Sequence, residues 1–404
     1  MSRRRLVELL GFGGAAVATG LPFRAVAQAP YGRMSSSLAS SQPHSALELK
    51  SLDPGTSPVP PVDQLPNGPG VSRIDPSDPA APLYRLLAMM RKPLALRDIM
   101  IMPVRTGYIG DHPIDPKDLP PSAAELYPQI LVSEILVPSR MGPVRCQVYA
   151  PATASHALPM LMYLHGGGFT VGRSEDTAYI TSRLAWENKL VVVSVNYRLA
   201  PEWPFPAGMD DCLAVLNWMR DRGQGIGGDG ARIAIAGDSA GGNLAAALPL
   251  KARDEGVRTP DAAVLFCPIT DFFFEAHESF ERLAPLGIVY DVPFIGFIRG
   301  AYAVHHNIWS HPHVSPARGD LTGYPPALII AGTADPLIDD NRAFANKLKE
   351  AGNQRAELFV REGMPHGYYF FPMMFTQGEE AFSAIQRFLE RVLPPSSSPT
   401  RSPP

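Results

Sequence analysis

Short apolar runs alternate with longer amphipathic runs along most of the chain. The apolar runs include PMLMYL, LVVVSVNY, RIAIAGD, AAVLFCPI, PALIIAG and AELFVRE, and the amphipathic runs include TAYITSRLAWEN, AGMDDCLAVLNWMRDR and NRAFANKLKEAG. A strand that is apolar at every position is buried on both faces, and helices with one apolar face can cover it. The pattern therefore predicts an α/β fold whose mainly parallel sheet carries helices on both faces.

Two earlier segments, ILVSEILVP and VRCQVYAP, have a different pattern, because apolar and polar residues alternate in them. Such alternation predicts an antiparallel hairpin at the edge of the sheet. With these two strands the predicted sheet has eight strands. A last amphipathic run, FTQGEEAFSAIQRFLERVL, predicts the final helix of the fold.

The segments outside this alternation set the predicted domain boundaries. Residues 28–82 are rich in Ser, Pro, Gly and Asp and predict an extended linker, and residues 394–404 predict a disordered Pro/Ser tail. The α/β domain is predicted to span residues 83–393. A helical segment at about 83–125 and a long, aromatic-rich insertion at about 271–325 interrupt the regular pattern. We expect these two segments to form a cap over the carboxyl edge of the sheet, with most of the aromatic side chains packed inside the cap.

Residues 1–27 predict an export signal. Arg3 and Arg4 precede Leu6 in a pattern that resembles a bacterial twin-arginine signal, and the weakly apolar stretch LLGFGGAAVATGL follows. The small residues Ala25 and Ala27 then provide a cleavage site. The alternative is a short basic leader without a role in export. We expect a periplasmic or secreted protein.

Composition narrows the classes of function. The chain has 404 residues, of which 45% are hydrophobic and 19% charged, as is typical of a soluble globular protein. A net charge of −3 leaves no basic excess, so we expect no nucleic-acid partner. No later segment is long and apolar enough to predict a transmembrane helix in the mature chain. Cys146, Cys212 and Cys267 lie in apolar segments, and we expect buried free thiols.

The sequence GDSAGG at residues 237–242 carries the first candidate for catalysis. It lies between the strand-forming RIAIA and the helix-forming NLAAAL, and G-x-S-x-G in this context is the pattern of a nucleophile elbow. The flanking glycines allow a tight turn that lifts the Ser239 hydroxyl above the sheet edge. The backbone N–H of Ala240 then lies at a helix N-terminus, where the potential is positive. We therefore predict that Ser239 is the catalytic nucleophile.

A serine hydroxyl needs a general base, and in hydrolases with this elbow an acid and then a histidine follow the serine along the chain. Asp335 directly follows the strand PALIIAG and His366 follows the next strand, so we expect both at neighbouring strand ends. Asp339 is the competing acid, but with Asp340 it begins a helix, where acidic side chains usually act as caps. The predicted triad is Ser239, Asp335 and His366, in which Asp335 orients the imidazole and His366 removes the serine proton.

Three consecutive glycines, residues 166–168, follow the strand PMLMYL and His165. A phosphate-binding loop would need G-x-x-x-x-G-K-[ST], and a dinucleotide-binding loop would need G-x-G-x-x-G; neither spacing is present. An oxyanion hole of the HGGG type fits. We predict that the backbone N–H groups of Gly167, Gly168 and Ala240 bind the oxyanion, and that His165 braces the loop.

Together these motifs resemble those of the bacterial hormone-sensitive-lipase family of α/β-hydrolases. HGGGF (165–169), YRLAPEWPFPA (197–207), GDSAGGNLAAA (237–247), DPLIDD (335–340) and PHG (365–367) follow the family's order and spacing, within about residues 83–393. The resemblance implies an α/β-hydrolase fold with a helical cap and a serine carboxylesterase, without a cofactor, that acts on short- to medium-chain acyl esters. It also assigns the oxyanion hole to Gly167, Gly168 and Ala240, and gives YRLAPE a mostly structural role.

Two features depart from the family pattern. Pro249 lies inside the helix that follows the nucleophile, where we expect it to kink or shorten that helix. The insertion contains the run HHNIWSHPH, with His305, His306, His311 and His313. Because the run contains no carboxylate and no cysteine, we expect a solvated or cap-packing cluster and no metal site.

Two alternatives to ester hydrolysis stay open on the sequence alone. An amidase or a deacetylase would use the same triad. A protein of another class, a non-catalytic small-molecule binding protein or receptor, would not need His366. For the esterase, the expected partner is a small-molecule ester.

Overall fold

The computed structural model describes residues 108–109, 112–113, 123–286, 292–370 and 375–393. All of these belong to one compact unit of the chain, residues 66–404. The predicted export signal (1–27), linker (28–82) and tail (394–404) lie outside the described residues, as does most of the first cap segment (83–125). These assignments stay predictions.

Eight strands of the described residues form one sheet. Two further short strands, β1 (Tyr108–Ile109) and β2 (His112–Pro113), pair with each other. The sheet consists of β3 (Ile130–Val137), β4 (Val144–Pro151), β5 (Leu158–Leu164), β6 (Val191–Val195), β7 (Gly228–Asp238), β8 (Ala262–Phe266), β9 (Ala327–Gly332) and β10 (Ala356–Arg361). Its strand order is β10-β9-β8-β7-β5-β6-β4-β3. Strand β4 pairs antiparallel with β3 and β6, and all other neighbours are parallel. The predicted mainly parallel sheet of eight strands, with its edge hairpin, is confirmed.

Helices cover both faces of this sheet. The described α-helices are α1 (Ala123–Leu126), α2 (Ala178–Asn188), α3 (Ala207–Arg222), α4 (Ser239–Asp254), α5 (Glu278–Leu283), α6 (Val292–Tyr302), α7 (Ile338–Glu350) and α8 (Gln377–Val392). Alternate residues of β5 pack in opposite directions: Met160 and Met162 lie in one core with α3, α4 and α7, and Leu161 and Tyr163 lie in the other with α2 and α8. None of the helices in the described part of the chain is long and apolar enough to cross a membrane.

Helix α4 continues past Pro249. The sequence predicted that this proline would kink or shorten the helix, and the shortening is wrong, because the helix runs to Asp254. Proline cannot donate the backbone hydrogen bond to residue i−4, and that loss normally ends a helix. Here 13 of the 16 residues are buried between the sheet and its neighbours. Tertiary packing therefore holds the last turn in place despite the missing hydrogen bond.

The insertion at residues 271–325 is helical where it is described. It contains α5, α6 and four short 3₁₀ turns (Phe274–Ala276, Ala284–Leu286, His306–Ile308 and Pro316–Arg318). Most of its described aromatic side chains pack in the interior, as expected: Phe272, Phe274, Phe280, Tyr302 and Tyr324 are buried. Tyr302 of α6 stacks on Phe169, with ring centroids 3.8 Å apart and an interplanar angle of 8°. This contact fastens α6 to the loop that follows β5.

Candidate active site

Ser239 lies at the turn between β7 and α4 in a left-handed backbone conformation. Its φ is 55°, a conformation that costs a non-glycine residue on the order of 1–3 kcal/mol. A Cβ on Gly237 would lie 2.3 Å from the carbonyl oxygen of Gly241, and a Cβ on Gly241 would lie 2.0 Å from the carbonyl oxygen of Leu164. No side chain fits at either glycine. The elbow that GDSAGG predicted is therefore present, with Ser239 as the first residue of α4.

The loop after β5, residues 165–172, is called here the glycine loop. Gly167 has a φ of 112°, and a Cβ at this position would lie 2.3 Å from the carbonyl oxygen of Val171. Gly168 has a φ of 60°, and its Cβ would lie 2.7 Å from Ile298 Cγ2 and 3.0 Å from Phe294 Cζ. Both positions therefore require glycine, for the backbone conformation as well as for space. The short distances from Gly168 to Ile298 and Phe294 also show that helix α6 lies directly on Gly168.

Ala240 is fully buried at the second position of α4. Its N–H is one of the first four of the helix, which have no acceptor within the helix and carry the positive end of the helix dipole. A Cβ on Gly241 would lie 2.4 Å from the carbonyl oxygen of His165. This close approach places the N-terminus of α4 against the loop that holds Gly167 and Gly168, the other two predicted donors.

The structure brings Asp335 and His366 into direct contact. Asp335 follows β9 and is fully buried, and His366 follows β10 with 5% of its surface exposed. His366 Nδ1 lies 2.8 Å from Asp335 Oδ2, and the backbone N–H of Leu337 donates to Asp335 Oδ1 at 2.9 Å. The carboxylate is held at both oxygens, so it can fix the orientation of the imidazole.

The competing acids at the start of α7 are engaged elsewhere. Asp339 Oδ2 accepts a hydrogen bond from the backbone N–H of Ser279 at 2.8 Å, which ties α7 to α5. Asp340 is buried and accepts hydrogen bonds from the backbone N–H and the hydroxyl of Thr270. Asp335 is thus the acid of this segment that lies against His366, as the sequence predicted.

His165 has the bracing contacts that were expected of it. Its Nδ1 lies 2.8 Å from the carbonyl oxygen of Gly166, and its ring stacks on Tyr197 at a centroid distance of 4.4 Å. The Tyr197 hydroxyl donates to the carbonyl oxygen of His165 at 2.5 Å. Burial lowers the pKa of His165 to about 4, so this ring is neutral near pH 7. In the YRLAPE stretch, Arg198 pairs with the buried Asp211 at 2.8 Å, which is a structural contact.

The sequence analysis did not predict that Cys267, which follows β8, lies beside Asp335 and His366. Its thiol, the Asp335 carboxylate and a His366 ring nitrogen lie within 4.8 Å of one another. Burial raises the pKa of this thiol well above its usual range, so it is neutral and can donate to Asp335. The only sequence signal was its position at the end of a strand between those that carry Ser239 and Asp335. All three cysteines are buried and unpaired, as expected.

The histidine side chains of the insertion make packing and surface contacts. Within the described residues, the trio just named is the only group of three potential ligands. His313 Nε2 instead lies 2.8 Å from Asp254, and His306 packs against Trp309 with ring centroids 4.4 Å apart. These are the packing and surface contacts that were expected.

The sequence is similar to those of known α/β-hydrolases. A family model described as "alpha/beta hydrolase fold" matches residues 161–370. The chain is 35% identical to carboxylesterase NlhH of Mycobacterium tuberculosis, over 67% of this chain and 85% of that protein. It is 30% identical to the ethyl acetate hydrolase of Pseudomonas putida, over 65% of this chain and 83% of that protein.

A solved structure shows the same architecture. The hyperthermophilic esterase of the archaeon Pyrobaculum calidifontis superposes with a TM-score of 0.67 and 30% sequence identity, over 78% of this chain and 99% of that one. The family match over residues 161–370 includes all the motifs of the candidate site.

The Asp335–His366 contact yields a prediction that separates the two candidate acids. We expect Asp335→Asn to slow the reaction of Ser239 with a fluorophosphonate by about 10⁴-fold, because the imidazole loses its orienting anion. The reaction is followed by the mass increase of the intact protein. Asp339→Asn is the matched control, since its amide oxygen can still accept from Ser279, and its rate should stay close to wild type. Equal rates for the two variants would contradict the assignment of Asp335.

Proposed function

The chain belongs to the hormone-sensitive-lipase-like family of α/β-hydrolases, and from this premise we propose that it is a serine carboxylesterase for short- to medium-chain acyl esters. The observation that carries the proposal is the buried 2.8 Å contact between Asp335 and His366. A hydrolase needs this pair to activate Ser239, whereas a binding protein or receptor does not.

The site residues give the reaction in two halves. Ser239 Oγ attacks the ester carbonyl carbon while His366 accepts the serine proton, and the carbonyl oxygen becomes an oxyanion. The N–H groups of Gly167, Gly168 and Ala240 stabilise that charge. The tetrahedral intermediate then expels the alcohol, which takes the proton from His366, and an acyl-enzyme remains. Water, deprotonated by the same imidazole, releases the acid and restores Ser239.

Helix α6 supports the proposed preference for shorter acyl chains. Phe294 Cζ lies 3.0 Å and Ile298 Cγ2 lies 2.7 Å from the position that a Cβ on Gly168 would occupy. Both side chains therefore border the space above Gly168. Gly168 is a predicted oxyanion donor, so a substrate carbonyl has to fit beside these two side chains. Phe294 is only half-buried, so part of its side chain is accessible to an acyl or alcohol group.

The function is tested with p-nitrophenyl esters from acetate to laurate, together with the matching p-nitroanilides. We expect hydrolysis of the shorter esters and much slower hydrolysis of the anilides. Ser239→Ala should lower kcat by about 10⁴-fold or more, because the acyl-enzyme cannot form. Ser155→Ala, at an exposed serine, serves as the control and should keep wild-type rates. Faster turnover of the anilides would favour the amidase, and binding of esters without turnover would favour the receptor.

The chain-length preference has its own test at Phe294. Phe294→Ala should raise the ratio of kcat/KM for laurate to that for butyrate by about tenfold, because removing the ring makes room for further methylenes. Phe297→Ala removes the same side chain from the same helix, away from the atoms nearest Gly168, and should leave the ratio unchanged. A Phe294→Ala ratio equal to that of wild type would contradict the role given to α6.

We further propose export through the twin-arginine route, on the basis of Arg3, Arg4 and the small residues before Gln28. In a bacterium with this pathway, the full chain should reach the periplasmic fraction with Gln28 as its new N-terminus, determined by mass spectrometry. The Arg3→Lys, Arg4→Lys double variant should stay in the cytoplasm at full length. Periplasmic recovery of the double variant would contradict the proposal.

A further inference from the structure

Asp238 is a buried carboxylate beside the nucleophile to which the reaction assigns no step. It is the last residue of β7 and only 5% of its surface is exposed. Burial raises its pKa to about 6, which reflects a cost of keeping the charged form in this position. Burying this charge costs free energy, and Asp238 is adjacent to Ser239. We therefore expect the carboxylate to have a role in the site.

The Asp238 carboxylate links strands β7 and β5, which lead into the elbow and the glycine loop, respectively. Tyr163, near the end of β5, donates its hydroxyl hydrogen to Asp238 Oδ1 at 2.8 Å in a buried hydrogen bond. Strands β5 and β7 are parallel neighbours, with Leu164 opposite Gly237. The Asp238 side chain therefore reaches from the elbow across to the strand that leads into the glycine loop.

On its other side the carboxylate touches the glycine loop itself. The Tyr163 hydroxyl and the backbone N–H of Gly166 both lower the pKa of Asp238 against the effect of burial. A Cβ on Gly166 would lie 2.2 Å from Asp238 Oδ2, so this residue has to be glycine for the carboxylate to fit. Gly166 does not have a positive φ, so the need for space is the reason for glycine here.

The three glycines thus have different reasons to be glycine. Gly167 and Gly168 are required by their left-handed backbone and are the predicted oxyanion donors, whereas Gly166 provides the space for Asp238. We propose that Asp238 is a positioning residue for the oxyanion hole. Its carboxylate binds Gly166 to the elbow and so fixes the N–H groups of Gly167 and Gly168 relative to that of Ala240. Ground-state binding of the ester depends little on the distance between the N–H groups of Gly167 and Gly168 and that of Ala240. Stabilisation of the oxyanion depends strongly on this distance.

The test compares two variants of Asp238. Asp238→Ala removes the link to Gly166, and we expect kcat for p-nitrophenyl butyrate to fall by about 10²-fold, as for the loss of one oxyanion donor, with KM changed less than about threefold. The inhibition constant of a trifluoromethyl ketone, which forms an oxyanion on the serine, should rise in parallel with the loss of kcat/KM. Asp238→Asn keeps an oxygen that accepts from Gly166 and an amide that can donate to Tyr163, so its kcat should stay within about tenfold of wild type.

Asp229→Ala, at the other end of β7, is the control for a loss of charge in the same strand and should keep wild-type kcat. The role of Asp238 is overturned if Asp238→Ala keeps kcat within about threefold of wild type. It is also overturned if Asp238→Asn loses as much as Asp238→Ala, or if KM rises while kcat is unchanged.

Gly166→Ala gives an independent result if Asp238→Ala does not fold. The added methyl displaces the carboxylate without removing it, and a similar loss of kcat is expected; an unchanged kcat overturns the proposal. The inference rests on the proposed esterase function. A wild-type protein that hydrolyses no ester would overturn that function, whereas an active wild type with an unaffected Asp238→Ala variant overturns only the role of Asp238.

Discussion

Ser239 keeps a φ of 55° because backbone packs directly against backbone at the elbow, and the geometry of the whole site depends on that contact. Gly241 approaches the carbonyl oxygens of Leu164 and His165 so closely that a single methyl group could not be added. The first turn of α4 is thereby pressed against the start of the glycine loop. Any larger residue at the elbow would separate Ser239 and Ala240 from Gly167 and Gly168.

The strand order explains how residues far apart in the chain meet at this point. The neighbouring strands β10, β9, β8 and β7 are followed by His366, Asp335, Cys267 and Ser239, respectively, and β5, next to β7, is followed by the glycine loop. Because these strands are parallel, all five loops lie at one edge of the sheet. Helix α6 then covers Gly168 with Phe294 and Ile298. The sheet thus positions the candidate catalytic groups, while the insertion supplies the two side chains that lie on Gly168.

Much of this could be predicted from the sequence, since each main feature has a local signal. The apolar runs predicted the sheet, and GDSAGG predicted the elbow. Asp335 was selected over Asp339 because it directly follows a strand, whereas Asp339 begins a helix. That Pro249 does not shorten α4 could not be predicted, because the packing that carries the helix past this proline is not local. The contacts of Cys267 and Asp238 were missed for the same reason, as they depend on which strands are neighbours. The sequence assigned the predicted oxyanion donors to Gly167 and Gly168, but the reason for a glycine at residue 166, the space that Asp238 occupies, needed the three-dimensional arrangement.

Three backbone N–H groups are expected to surround the oxyanion formed at Ser239. A crystal structure of the protein after reaction with a p-nitrophenyl phosphonate tests this expectation most directly, because the phosphonyl oxygen occupies the place of the oxyanion. We expect phosphorus bonded to Ser239 Oγ, with that oxygen about 2.7–3.1 Å from the nitrogens of Gly167, Gly168 and Ala240. Phosphorus on another residue, or a phosphonyl oxygen directed away from these three nitrogens, would contradict the account.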